Sequence, residues 1–188
     1  MIIQGGIKQE FEGDMVLRTL ETKRLLLRNV KAEDVDDLFE IVSDEQSCLD
    51  DGAYHASPSK DGKEFLDSFA AISNADEHYA VVLKETNKMI GLIHLMDATR
   101  GIKTKTIGYN INKAYRRQGF AKEAAKAVMD YYFSNGDIKM FTADCYEYNS
   151  ASRKTLESLG FIQEGIIHNS VDHPQKGLIN SISYYKEK

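Results

Sequence analysis

Residues 115–126 read Tyr-Arg-Arg-Gln-Gly-Phe-Ala-Lys-Glu-Ala-Ala-Lys, a joint between a strand and a helix that leaves few architectures open. The run that leads in, residues 105–112, alternates apolar and polar positions as a strand does. The run that leads out, from Ala121 to Phe133, is rich in strong helix formers. Gly119 stands at the joint, flanked by Arg116, Arg117 and Lys122. A helix start carries unpaired N–H groups and a partial positive charge, so it attracts phosphate. A glycine there lets a bulky anion come close to the backbone. The joint reads as a pyrophosphate cradle.

Charge supports that reading. The chain has a formal net charge of −5, which argues against general nucleic-acid binding. Yet Lys113, Arg116, Arg117, Lys122 and Lys126 face only one acid, Glu123, within the same short stretch. A positive island on an acidic protein suits one specific polyanion. The competing reading is a solvated helix face.

At 188 residues the chain has the size of one domain, with an irregular arm over residues 1–20 and the domain over 21–188. Cys48 and Cys145 lie far apart without a CxxC spacing and read as reduced intracellular thiols. The five histidines form no ligand pattern, so no metal is expected. No apolar run is long enough for a membrane span, and the N-terminus lacks the pattern of a signal peptide; a cytoplasmic location is expected.

Periodicity sets the order of elements. Strands are expected over residues 21–30, 78–84, 89–96 and up to about 112, then over 140–146, 161–168 and 179–185. Helices are expected over 32–43, 59–72, 119–135 and 149–159, with 43–57 a loop. The order β-α-α-β-β-β-α-β-α-β-β describes an α/β (α+β) fold. It is a mixed, mostly antiparallel sheet of six to seven strands flanked by about four helices.

Several motifs in this order resemble a known family. Arg116-Arg117-Gln118-Gly119-Phe120-Ala121 is similar to the Arg/Gln-x-x-Gly-x-Gly/Ala signature of the GNAT superfamily of acetyl-CoA-dependent N-acetyltransferases. Asn149-Ser150-Ala151-Ser152, then Leu159-Gly160-Phe161 and Glu164-Gly165, resembles the branch that acetylates ribosomal-protein N-termini, the Rim type. The opening Thr22-Lys23-Arg24-Leu25-Leu26-Leu27-Arg28 and Ile107-Gly108-Tyr109 match that branch too. The likeness spans residues 21–187. One glycine motif alone would be weak; two motifs about thirty residues apart in the expected order are specific.

The resemblance implies a sheet with a central V-shaped splay that receives the pantetheine arm of acetyl-CoA. It implies that the backbone of Asn110, Ile111 and Asn112 pairs with that arm. The amides of Gln118, Gly119, Phe120, Ala121 and Lys122 would hold the diphosphate, and Arg116 or Arg117 would meet its oxygens. Asn149 would bond the pantetheine amide, or serve simply as a helix N-cap.

Acetyl transfer to an amine needs a neutral amine, donors for the oxyanion and a proton for the departing thiolate. The position where many relatives carry a glutamate base holds Thr106, and the usual tyrosine acid position holds Leu156. The Rim-type serine corresponds to Ser152, which becomes the expected acid. Asp172 is the expected base, within an open set of Asp172, His168, His94, Asp97 and solvent. An α-amine of pKa about 7.8 costs only about 1 kcal/mol to neutralise at pH 7, against roughly 4–5 for a lysine amine. A site with a weak base therefore suits a protein or peptide N-terminal α-amine, and the acids at 44, 45, 50 and 51 would attract a cationic acceptor. Other readings are a polyamine or antibiotic acetyltransferase and a non-catalytic acyl-CoA-binding module. A P-loop nucleotide binder lacks its motif. A homodimer and a monomer both remain open.

Overall fold

The structure is a computed structural model that describes residues 17–44, 49–50 and 77–188. The helix expected over 59–72, most of the 43–57 loop, Cys48 and most of the N-terminal arm lie outside the described residues.

Among the described residues eight strands form one sheet: β1 (Leu20–Glu21), β2 (Leu25–Asn29), β3 (Glu77–Leu83), β4 (Lys88–Ala98), β5 (Thr104–Ile111), β6 (Met140–Tyr146), β7 (Ile162–His173) and β8 (Gly177–Glu187). Their spatial order is β1-β2-β3-β4-β5-β6-β8-β7. Only β5 and β6 run parallel; every other pair is antiparallel. Three helices are described: α1 (Val35–Val42), α2 (Phe120–Asn135) and α3 (Ser150–Ser158). The fold is thus the expected mixed α+β sheet, with one strand more than the expected six to seven.

Alternation sends Leu25, Leu27, Tyr79, Val81, Ile93 and Ile107 to one face, where α2 covers them with Phe120, Ala124, Ala125, Val128, Met129 and Phe133. The other face carries Ala80, Val82, Met89 and Leu92 under Leu38 and Ile41 of α1. Burying each such Leu, Ile, Val, Met or Phe contributes about 1.5–3 kcal/mol. The start of α1 is tied to β2 by a buried fork: Arg28 Nη1 and Nη2 donate to Asp34 at 2.7 and 2.9 Å.

The closing hairpin is longer than the apolar pattern suggests. β7 runs to His173 and β8 begins at Gly177. The stretch 168–172 is polar, and β7 is an edge strand whose register shifts between Ile167 and Val171. Backbone pairing holds it there without a buried face, so side-chain alternation carries no trace of it.

Candidate active site

The β5–β6 pairing stops early. Only Thr104, Lys105 and Thr106 pair with Met140, Phe141 and Thr142, and a hydroxyl contact of 2.8 Å between Thr106 and Thr142 closes the narrow end. Beyond it β5 stays paired with β4 as far as Ile111, and β6 with β8 as far as Tyr146. Each strand is held on its outer side while its inner edge faces a wedge. Main-chain groups of residues 107–111 and 143–146 line that wedge, the V expected between these strands.

At its wide end β5 passes into a short 3-10 turn, Lys113–Tyr115, capped by Asn112, whose Oδ1 accepts from the Ala114 amide at 3.0 Å. Two left-handed residues follow, Arg117 (φ 61) and Gly119 (φ 80). Left-handed positions in such a turn can direct successive N–H groups to one side, as in an anion-binding nest. The amides of residues 117–122 make no hydrogen bond to the described residues, while the Glu123 amide already bonds Gly119 O at 3.0 Å. Among the described residues, a Cβ at Gly119 would meet only Arg24 Nη2, at 3.7 Å.

The cradle is braced from β2. The Arg24 guanidinium donates from Nη1 to Gln118 O at 3.0 Å and from Nε to Glu123 Oε2 at 2.7 Å, and it lies 4.1 Å from the Phe120 ring centre. Glu123 Oε1 accepts from Thr22 Oγ1 at 2.6 Å and from the Arg24 amide at 3.0 Å. Burial pushes the Glu123 carboxyl up, but these hydrogen bonds and the Arg24 charge prevail and hold it below the usual carboxylate range. None of this brace was foreseen from sequence beyond the Thr22–Arg28 motif.

The predicted site residues differ in what holds them. Arg117 and Lys122 are exposed at the cradle and take part in no ion pair among the described residues. Phe120 is buried under the first turn and Ala121 packs beside it. Arg116 instead turns back, its Nε donating to Ile111 O at 2.8 Å. Its guanidinium thereby supplies a donor to a carbonyl at the end of β5. Asn110 Oδ1 and Asn112 Nδ2 are buried without a partner among the described residues. They put an acceptor and a donor at one strand end, beside the amides of residues 117–122.

Across the wedge, Asn149 caps α3: its Oδ1 accepts from the Ser152 amide at 3.0 Å, so the cap reading holds. Its Nδ2 also donates to Asp50 O at 3.1 Å, while Asp44 lies 3.7 Å from Lys113. The Asp44 and Asp50 ends of that segment therefore touch both sides of the wide end of the V. Glu45 and Asp51 lie outside the described residues.

Ser152 faces the wedge in company that the sequence did not announce. Tyr109 Oη lies 3.1 Å from Ser152 Oγ and 3.2 Å from Ser152 O. Ser152 also hydrogen-bonds the Cys145 thiol, which burial nonetheless pushes up to about 11. The strand alternation that puts Ile107, Tyr109 and Ile111 on one face was the available signal; the partner, 43 positions away, was not.

The base candidates separate. Asp172 is exposed on β7 opposite Leu178. Its neighbour His173 is buried, with ring contacts to Tyr146 at 6.1 Å and Tyr148 at 5.9 Å, which ties this hairpin end to the end of β6. His168 is exposed on β7. Asp97 is engaged by Lys105 at 2.8 Å. His94 lies against Gly108, where a side chain would meet its Nε2 at 1.8 Å. No group of three metal-ligating side chains occurs among the described residues, and none of their helices is long and apolar enough to cross a membrane.

With this geometry in place, similarity to known proteins is informative. Residues 24–162 match the family described as the acetyltransferase (GNAT) domain. The chain is 28% identical to the uncharacterized N-acetyltransferase p20 of Bacillus licheniformis, over 81% of this chain and 87% of that one. Two solved structures share the fold with a TM-score of 0.75 each. One is the RimL ribosomal L7/L12 α-N-protein acetyltransferase in complex with coenzyme A, 19% identical, covering 90% of this chain and 98% of that one. The other is the microcin C7 self-immunity acetyltransferase MccE in complex with acetyl-CoA and AMP, 18% identical, covering 89% and 94%.

Proposed function

We propose that this chain, which belongs to the acetyltransferase (GNAT) domain family and is an N-acetyltransferase with acetyl-CoA as co-substrate, acetylates the N-terminal α-amine of a protein or peptide in the cytoplasm. The catalytic domain is assigned to residues 21–188. The observation that carries the donor half is the nest of free amides over residues 117–122, set where β5 leaves the open wedge.

On this reading the cradle amides and the exposed Arg117 and Lys122 hold the diphosphate, and the inner edge of β5 over Asn110–Asn112 pairs with the pantetheine arm. The thioester supplies the acetyl group; an N–C bond forms as the C–S bond breaks. The Ser152 hydroxyl donates to the departing sulfur, and Tyr109, 3.1 Å away, orients it. Asp172 is the carboxylate assigned to receive the amine proton.

Three observations support an α-amine acceptor. The position of the strong family base holds Thr106, whose hydroxyl is engaged by Thr142. Asp172 is an exposed carboxylate. An α-amine is neutralised at pH 7 for about 1 kcal/mol, a cost that an exposed carboxylate or water meets. Asp44 and Asp50 flank the wide end of the V and favour a cationic acceptor. The fold likeness to an α-N-protein acetyltransferase agrees, and the likeness to MccE keeps a small-molecule amine as the second reading.

A mass-spectrometric screen with acetyl-CoA decides between them. The panel holds peptides with free N-termini, the same peptides Nα-blocked but with an internal lysine, and polyamines. Acetylation of the free N-termini alone is expected. Modification of the blocked lysine peptides or polyamines in preference would overturn the acceptor assignment.

A further inference from the structure

An acid in the first turn of an anion-binding helix is a contradiction that this chain resolves with one arginine. Glu123 lies four residues beyond the cap Gly119, where a free carboxylate would repel a diphosphate held by the amides of that turn. Both its oxygens are consumed from β1–β2: Oε1 by Thr22 Oγ1 and the Arg24 amide, Oε2 by Arg24 Nε at 2.7 Å and Nη2 at 2.7 Å. The remaining nitrogen of the same guanidinium, Nη1, takes the carbonyl of Gln118. The plane of the group lies over the ring of Phe120.

One planar cation therefore grips three levels of the cradle, at residues 118, 120 and 123. Holding the Gln118 carbonyl toward β2 keeps its oxygen out of the nest, so that the N–H groups alone face the anion. Forking onto Glu123 removes the charge that would oppose that anion. A lysine cannot do both, because an ammonium offers neither a planar fork nor a stacking face. Arg24 commits at least one N–H on each of its three nitrogens within the protein.

Resting on the assignment of the cradle to a diphosphate, we infer that Arg24 is a positioning residue that presets the cradle for coenzyme A by fixing the Gln118 carbonyl and neutralising Glu123. The part of the donor affinity that depends on it is confined to the diphosphate end.

The test measures two ligands on the full chain: CoA by calorimetric titration, and pantetheine, which ends before the diphosphate, by NMR titration. Wild type binding CoA no more tightly than pantetheine would overturn the cradle assignment itself. Given a wild-type preference for CoA, Arg24→Gln is expected to weaken CoA at least tenfold and leave pantetheine within twofold. Adding Glu123→Gln is expected to restore at least threefold, because the exposed carboxylate is gone while the freed Gln118 carbonyl remains. CoA affinity within twofold of wild type in Arg24→Gln, or an equal loss for both ligands, would overturn the inference; the second outcome means general damage. Should Arg24→Gln fail to fold, Arg24→Lys, which keeps the charge but not the fork or the stacking, is expected to show the same selective loss of CoA.

Discussion

Placing an aspartate at Gly119 tests the cradle most directly. The backbone there is left-handed, with φ 80, a conformation that costs a residue with a side chain about 1–2 kcal/mol, with aspartate toward the low end. Among the described residues space is not limiting: the nearest atom to an added Cβ is Arg24 Nη2 at 3.7 Å. The fold should therefore survive with a lowered melting temperature. The charge is the larger effect on the ligand. Two unit charges about 4 Å apart interact by about 4 kcal/mol at an effective dielectric constant near 20. Arg24 will turn partly toward the new carboxylate and salt will screen it, so a loss of about 2–4 kcal/mol is expected, roughly 30- to 1,000-fold in Kd for CoA. Gly119→Asn separates the causes, since it has the same size and tolerance of the left-handed region without the charge; it should lose much less. Calorimetry with CoA and a thermal melt suffice as assays. A folded Gly119→Asp variant that binds CoA within threefold of wild type would show that no phosphate approaches this turn.

Ser152→Ala should lower kcat by about 10- to 100-fold while the KM for acetyl-CoA moves little, as expected of a group that acts on the departing sulfur; Tyr109→Phe should give a smaller loss in the same direction. An unchanged kcat in Ser152→Ala, read from initial rates, removes that residue from the reaction. The Cys145 thiol, raised by burial to about 11, stays protonated at neutral pH in the folded protein but titrates near 8.5 when unfolded. A raised folded value means that its contribution to stability is intact below about pH 8.5 and is lost as pH rises toward 11. Iodoacetamide labelling of Cys145, followed by mass spectrometry, should therefore be slow at pH 7.5 and quicken steeply above pH 9; fast labelling at pH 7.5 would contradict the burial.

The elements that could be read in advance are those whose causes are local. The Gly119 turn, the helix after it, the Asn149 cap and the alternating strands each follow from sterics or hydrogen bonds within four residues. Errors appeared where local signals were silent. The far half of β7 is polar and held only by pairing with β8, so nothing in its own alternation marks it as a strand. Arg116 or Arg117 was expected to meet the anion, and no local pattern announced that Arg116 Nε donates to the Ile111 carbonyl.

What the sequence determined by itself was local geometry: a glycine turn at a strand–helix joint, a basic island beside it and a capped helix thirty residues on. Which side chains meet was decided by the tertiary structure. Arg24 reaches Glu123 across 99 positions, and Tyr109 reaches Ser152 across 43. Such pairs exist only once β2 lies beside the start of α2 and the wedge between β5 and β6 has opened. The physical reason is one of range. Backbone preferences act over a single turn, whereas a long-range hydrogen bond depends on the order in which whole strands pack, and no short stretch of residues encodes that order.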